Sequence, residues 1–253
     1  TKAGFSQITR DKDHLGLSLI LGGCGVSLEE LTALFCSFAN KGEYRPLLYL
    51  AEEETDHTES ILSASASFMI TEILTQLKRP DLPVDWAQSY HTPKIAWKTG
   101  TSYGRRDAWS IGYNNKYTIG VWVGNFSGEG VPELSGAEKA TPLLFHLFNA
   151  FDVDPDKEWF SMPEDLELRY VCSASGRIPG EYCKDLIIDY FIPSVSDTRS
   201  CDHLRKLFIS PDSSISYCTS CKPELGYIRA LYPNHSPEMI TYFEENAIPY
   251  KKI

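Results

Sequence analysis

The chain has 253 residues, of which 42% are hydrophobic and 23% charged, with a formal net charge of -10. This is an ordinary globular composition with enough apolar sequence for a sizeable core, and the negative balance excludes a basic nucleic-acid surface. No run of eighteen apolar residues occurs and residues 1–25 lack a basic-then-apolar layout, so neither a membrane span nor a signal peptide is expected within the sequence.

In chain order, Ser27 followed by Glu30 forms a capping box, and Leu28, Leu31, Leu34, Phe35 and Phe38 then keep helical spacing until Asn40-Lys41-Gly42. A second helix is expected over 65–77, with Phe68, Met69, Ile73 and Leu77 inward and Arg79-Pro80 ending it. Strands follow over 95–101, 108–113 and 116–124, and Asn114-Asn115 signals a tight hairpin because Asn tolerates positive φ. Thr141 then caps a helix with Pro142 at its first position and Leu143, Leu144, Leu147, Phe148 and Phe151 as its apolar face.

After Asp152 the texture changes. Pro, Ser, Asp and Cys become frequent and long periodic segments vanish, apart from one strand over 186–192 and a last helix from Ser236-Pro237 to about Asn246. The expected organisation is therefore a first domain over 1–151, a linker over 152–164 and a small Cys-rich module over 165–253. The fold class is α/β, with helices packed on an antiparallel sheet, followed along the chain by a small irregular Cys-rich module.

The chemistry concentrates in Trp97-Lys98-Thr99-Gly100-Thr101. A strand-edge lysine offers a fixed cation, and Thr-Gly-Thr offers two hydroxyls beside a backbone that no side chain covers. Together these suit recognition of a carboxylate and of a developing oxyanion, with the Thr101 N–H as the natural donor. Lys98 and Thr101 are the candidate catalytic residues, and Lys98, Thr99, Gly100 and Thr101 the candidate substrate-binding ones. Arg105, Arg106 and Asp107 read as turn charges, and Trp97, Trp109 and Trp122 as core or cleft-lining bulk.

Long segments carry a resemblance. Lys2-Ala3-Gly4-Phe5, GLSLILGGCGVSLEELTALFCSFANKG and KTGTSYGRRDAWSIGYNNKYTIGVWVGN resemble the C-terminal half of the transpeptidase domain in bifunctional penicillin-binding proteins of the 1C type. VCSASGRIPGEYC, DYFIPSVS and Cys201-Asp202-His203 resemble the connecting segment after that domain. The resemblance implies a β-lactamase/transpeptidase-like fold and a D,D-transpeptidase that cross-links peptidoglycan stem peptides and is acylated by β-lactams. It also implies a periplasmic or extracytoplasmic setting, an upstream glycosyltransferase domain and inner-membrane anchor, contacts with other cell-wall synthesis proteins and a following β-rich domain.

The family's nucleophile motif S-x-x-K and second motif S-x-N are both missing: no serine has Lys three residues on, and none has Asn two residues on. The expectation is a fragment that supplies the KTGT wall and is inactive alone. Two alternatives are a non-catalytic scaffold that keeps the fold and a serine β-lactamase or D,D-carboxypeptidase. The long extension after Phe151 argues against the latter.

Five of the seven cysteines, Cys172, Cys183, Cys201, Cys218 and Cys221, crowd the last third. Disulfides are the preferred reading for an extracytoplasmic protein, pairing Cys172 with Cys183 and Cys201 with Cys218 or Cys221. A zinc site built on Cys218-x-x-Cys221 with Cys201, His203 and Cys172 or Cys183 is the alternative, and reduced thiols the third. No metal and no cofactor are expected.

Overall fold

The computed structural model describes residues 2–50, 52–53, 58–77, 93–152 and 158–252. The chain packs as two units, Thr1–Pro163 and Glu164–Ile253. Arg79-Pro80, expected to end the second helix, lies outside the described residues.

The first unit opens with α1 (Ser6–Asp11), a 3₁₀ turn (Leu17–Leu21) and α2 (Leu28–Ala39). Then come a two-stranded ribbon of β1 (Glu43–Tyr44) and β2 (Glu59–Ser60), α3 (Ala64–Thr75) and the strands β3 (Ala96–Thr101), β4 (Asp107–Tyr113) and β5 (Thr118–Gly124). A π-helical turn (Gly136–Ala140) runs directly into α4 (Thr141–Phe151). Strands β3, β4 and β5 form one antiparallel sheet in that order.

Side-chain alternation along these strands divides the sheet into two faces. One face carries Trp97, Ala108 and Val121 and packs on Leu144, Phe145 and Phe148 of α4, with Trp97 edge-on to Phe145 at 4.9 Å. The other carries Tyr113, which meets Phe35 and Phe38 of α2 at 6.2 and 6.3 Å and shares a hydroxyl hydrogen bond of 2.8 Å with Thr71 of α3. Helices thus cover both faces of the sheet.

The α2 capping box forms as read: the Glu30 N–H donates to Ser27 Oγ, and Glu30 Oε2 accepts from the Ser27 N–H. Lys41 and Gly42 end the helix at φ 55° and 87°. Gly42 is required there, because a Cβ would lie 2.2 Å from the Leu62 carbonyl oxygen.

Other expectations are corrected. Helix α3 buries Ser65, Ser67 and Thr71 and leaves Ile73 exposed, because its inward face approaches a tyrosine hydroxyl rather than an apolar layer. Thr141 does not cap α4. The π-helical turn starts the helix earlier, Ser135 accepts from the Glu138 N–H, and the buried Thr141 hydroxyl donates to the Gly136 carbonyl. That start leaves Leu143 and Phe151 exposed and turns Phe145 inward. The β4–β5 turn uses no left-handed Asn; Asn114 instead closes it with its side chain, Oδ1 accepting from the N–H groups of Lys116 and Tyr117.

In the second unit β6 (Glu167–Cys172) pairs with β7 (Leu186–Phe191), and β8 (Leu204–Ile209) lies between β9 (Ser216–Tyr217) and β10 (Ile228–Pro233), followed by α5 (Pro237–Glu245). Only β7 and α5 were legible as elements in the sequence. Leu-Ile-Ile-Asp-Tyr-Phe of β7 is a nearly apolar run, whereas β6, β8 and β10 place Glu, Arg or Lys among their apolar residues, so no run or period stands out. The disulfide pairing also differs. Cys218 is bonded to Cys221, whose Cα lies 5.3 Å away, while Cys172, Cys183 and Cys201 are free thiols turned toward His203.

Asn114 is buried and donates from Nδ2 to Asp152 Oδ2 at 2.8 Å, tying the β4–β5 turn to the end of α4. Asn114→Ala leaves Asp152 buried without this amide and opens the turn. It is expected to lower unfolding free energy by about 1–3 kcal/mol in urea titrations, whereas a mutation of the exposed neighbour Lys116 to Ala leaves the midpoint nearly unchanged.

Candidate active site

The Lys98–Thr101 segment is the last four residues of β3, which pairs only with β4 among the described residues and so forms an edge of the sheet. Its register fixes which backbone groups are free. Lys98 stands opposite Ile111, Thr99 opposite Ser110, Gly100 opposite Trp109 and Thr101 opposite Ala108. One step further on, the Ser102 N–H donates to the Asp107 carbonyl at 3.0 Å. In an antiparallel pair the hydrogen-bonding residues alternate, so Gly100 and Lys98 bond to β4 while the N–H and C=O groups of Thr99 and Thr101 point away from it, along the open edge. Gly100 is not demanded by packing, since a Cβ there would meet Trp109 only at an ordinary 3.6 Å.

A cavity of about 500 Å³ lies beside this edge, on the sheet face that carries α2. Lys98, Gly100, Trp109 and Ile111 line one side, and Leu31 and Phe35 of α2 another. The Gly22–Val26 segment closes a third, a wall the sequence reading missed although its paired glycines were a usable signal. Lys98 is exposed at the mouth, and its Nζ donates to the Thr99 carbonyl at 3.0 Å. Among the described residues no carboxylate lies within ion-pair reach of it, so its charge faces the cavity opening uncompensated.

Thr99 and Thr101 also line the cavity, but their side chains leave the strand on the face toward the π-helical turn. Thr101 Oγ1 accepts from the Gly136 N–H at 3.0 Å, which fixes the hydroxyl oxygen and leaves its proton free to donate. Gly136 permits this approach: a Cβ there would come within 2.5 Å of both the Gly100 and Trp109 carbonyl oxygens. Arg105 and Asp107 serve the turn beneath the site. Arg105 takes φ 52° and its guanidinium donates to the Pro132 carbonyl, while Asp107 accepts from the Trp122 indole at 3.0 Å.

The opposing wall is anchored by one carboxylate. Glu30 accepts from the Ser27 N–H with one oxygen and from the Ser6 N–H and hydroxyl with the other, at 3.0, 2.9 and 2.7 Å, so α1 and the start of α2 are held together. The Ser27 N–H foremost, then the Ser6 hydroxyl and N–H, hold the Glu30 carboxyl below its ordinary range. At the far end of β4, burial pushes the Tyr113 hydroxyl up to about 12, so it stays neutral and serves as a hydrogen-bond partner for Thr71.

No family model matches the chain. Over 133 residues it is 41% identical to penicillin-binding protein 1C of Escherichia coli (strain K12), covering 53% of this chain and 17% of that protein. It is 24% identical over 209 residues to penicillin-binding protein 1A of Clostridium tetani (strain Massachusetts / E88), covering 76% of this chain and 26% of the relative. It is 34% identical over 127 residues to penicillin-binding protein 1F of Bacillus subtilis (strain 168), covering 43% and 17%. The crystal structure of penicillin-binding protein 1A from Haemophilus influenzae superposes with a TM-score of 0.59 at 18% identity over 79% of this chain and 36% of that one, a likeness of fold. The chain thus spans between 17 and 26% of the length of these curated relatives and is similar to one portion of a penicillin-binding protein.

Two outcomes test the geometry of the two walls. Because the folded-state pKa of Glu30 is depressed, its stabilisation is present above the ordinary glutamate range and is lost as pH falls through the lowered value; Glu30→Gln should therefore flatten the acid limb of stability plotted against pH. Gly136→Ala forces two carbonyls apart and is expected to cost about 1–3 kcal/mol in thermal or urea unfolding.

Proposed function

We propose that this portion of a penicillin-binding protein supplies the cationic, hydrogen-bond-donating wall of a serine acyl-transfer site that cross-links peptidoglycan stem peptides and accepts β-lactams. The observation that carries the reading is the register of β3, which turns the Thr99 and Thr101 backbone outward along a cavity with a lysine at its mouth that has no carboxylate partner among the described residues.

Each residue has a role that its geometry suits. Lys98 attracts the substrate carboxylate. The Thr101 N–H donates to the oxygen that becomes negative when a carbonyl is attacked; donors aimed in advance at developing charge stabilise the transition state more than the ground state. The Thr101 hydroxyl, its oxygen fixed by the Gly136 N–H, donates to the carboxylate, and Thr99 lines the same edge. Gly100 keeps the strand face bare, so a peptide or lactam ring can lie against the backbone.

Acyl transfer also needs a nucleophile and a base, and the 253 residues contain neither S-x-x-K nor S-x-N. The proposal therefore puts the serine and its lysine outside this sequence, in an extracytoplasmic, membrane-anchored protein that also carries a glycosyltransferase domain. Missing motifs equally characterise a second reading, a scaffold that keeps the fold without the chemistry.

Fluorescent penicillin separates the readings. The 253-residue chain alone should give no covalent band, and a band would sink the assignment of the nucleophile. In the longer protein, Lys98→Ala should lower the acylation rate by roughly 10²–10³, the scale found when one preorganised electrostatic group is removed. Gly100→Ala should slow acylation with little change in unfolding midpoint, since its Cβ meets no close neighbour. A longer protein that never labels is the scaffold.

A further inference from the structure

We infer that the second unit holds a structural zinc ion bound by Cys172, Cys183, Cys201 and His203, a set unlike either the disulfides or the Cys218-based zinc site that the sequence suggests. The inference is independent of the transpeptidase reading.

The sulfur atoms of the three cysteines and a ring nitrogen of His203 all lie within 4.8 Å of one another. Measured from His203 Nδ1, Cys172 Sγ is at 3.6 Å, Cys183 Sγ at 3.8 Å and Cys201 Sγ at 2.9 Å. Tetrahedral zinc, with Zn–S about 2.3 Å and Zn–N about 2.0–2.1 Å, requires ligand sulfur and nitrogen to sit about 3.6 Å apart. Two of the three distances match, and the third, a Cys201–His203 hydrogen bond, must lengthen by about 0.7 Å when both groups ligate one ion. The stoichiometry is also wrong for disulfides: three sulfurs round one imidazole leave a thiol over, whereas four N and S donors complete a closed zinc shell. Thiolate with imidazole is the donor set that favours zinc over hard cations.

The backbone is built to hold these four groups before any ion arrives. Cys172 ends β6, where its N–H donates to the Arg177 carbonyl at 2.9 Å and its carbonyl accepts from the Gly176 N–H at 2.8 Å; Gly176 has φ 67°. Cys183 sits in a tight turn whose Gly180 N–H points at the Cys183 sulfur at 3.3 Å, a contact that stabilises a thiolate. The Cys201 N–H donates to the Ile178 carbonyl at 2.7 Å, and a Cβ on Gly180 would come within 2.2 Å of the Cys201 oxygen, so only glycine lets these two loops meet. Cys201 and His203, two residues apart, turn their ligand atoms to the same centre, and the His203 carbonyl accepts from the Asn234 N–H at 2.8 Å just beyond β10.

The location explains the need. Among the described residues of this unit only Leu166, Val171, Cys172, Cys201, Ile209 and Tyr232 are buried hydrophobics. Such a thin core is short of stabilising apolar area, and small units commonly add a metal or disulfides. Zinc binding displaces three thiol protons and leaves three thiolates and a neutral imidazole, a site of net charge -1, so three protons pass to the buffer. Cys218 and Cys221, bonded to each other, take no part.

The full chain, produced with zinc in the medium and purified in reductant without chelator, should contain one zinc per chain by elemental mass spectrometry. Cobalt(II) put in its place should give the thiolate charge-transfer and intense ligand-field bands of a tetrahedral site. Iodoacetamide should label Cys172, Cys183 and Cys201 only after a chelator is added. Cys183→Ser and His203→Ala should lose zinc, while the double variant Cys218→Ser/Cys221→Ser keeps it. Should the ligand variants fail to fold, the cobalt spectrum and the alkylation pattern of the unmutated chain still decide. A reduced, folded chain with no zinc and an octahedral cobalt spectrum overturns the inference. So does an intact mass that reveals a disulfide among Cys172, Cys183 and Cys201.

Discussion

The antiparallel register between β3 and β4 is the constraint from which the rest of the first unit follows. Because Ser102 bonds to Asp107, every second residue back along β3 bonds to β4, and the Thr99 and Thr101 backbone is left facing outward. The same register sends Trp97 toward α4 and Lys98 toward the face of α2. Slipping it by one residue would bury the lysine and expose the tryptophan, which the Trp97–Phe145 contact and the Gly136–Thr101 hydrogen bond both oppose. Core packing and the chemistry of the edge are therefore one choice.

Glycine carries that choice further. Gly136 lets the π-helical turn settle on the carbonyls of β3 and β4, Gly120 accommodates Thr32 of α2, and Gly100 leaves the cavity face of the edge bare. The first two are demanded by close packing, and the third is not. That difference is a physical reason to read Gly100 as serving a ligand, and it supports giving Lys98 and Thr101 roles on either side of it. The second unit has few buried apolar groups, and its order rests more on directed contacts: short ladders, Arg177 paired with Asp202 and Asp197, and the sulfur-lined centre at His203.

Legibility in the sequence followed the range of the interaction. The α2 capping box, the Asn40-Lys41-Gly42 stop and the three strands round Lys98 depend on neighbours within a few positions, and they were read with bounds shifted by a residue or two. On the second helix Leu77 packs on the core as expected, but Ile73 is exposed and Ser65, Ser67 and Thr71 are buried, because apolar spacing is a poor guide where a helix meets a tyrosine hydroxyl. On α4, Leu144, Leu147 and Phe148 face the core as expected, while Leu143 and Phe151 are exposed and Phe145 takes the inward place. In the second unit β7 was read from its apolar run, while β6, β8 and β10 went unread because charged residues interrupt their apolar ones.

By itself, the sequence determined the strand that holds the KTGT motif and the β4–β5 hairpin that follows it, the resemblance to penicillin-binding proteins, and the absence of a serine with the required lysine, since each is a matter of local order along the chain. Tertiary structure alone decided which backbone groups of that motif face outward, that a cavity with glycine-rich and α2 walls stands beside them, and which cysteines share a centre. Cys172, Cys183, Cys201 and His203 span more than thirty positions, and no spacing rule links them. They meet because β6, the Gly180 turn and the start of β8 are pinned to one another by backbone hydrogen bonds and by a glycine that admits no side chain.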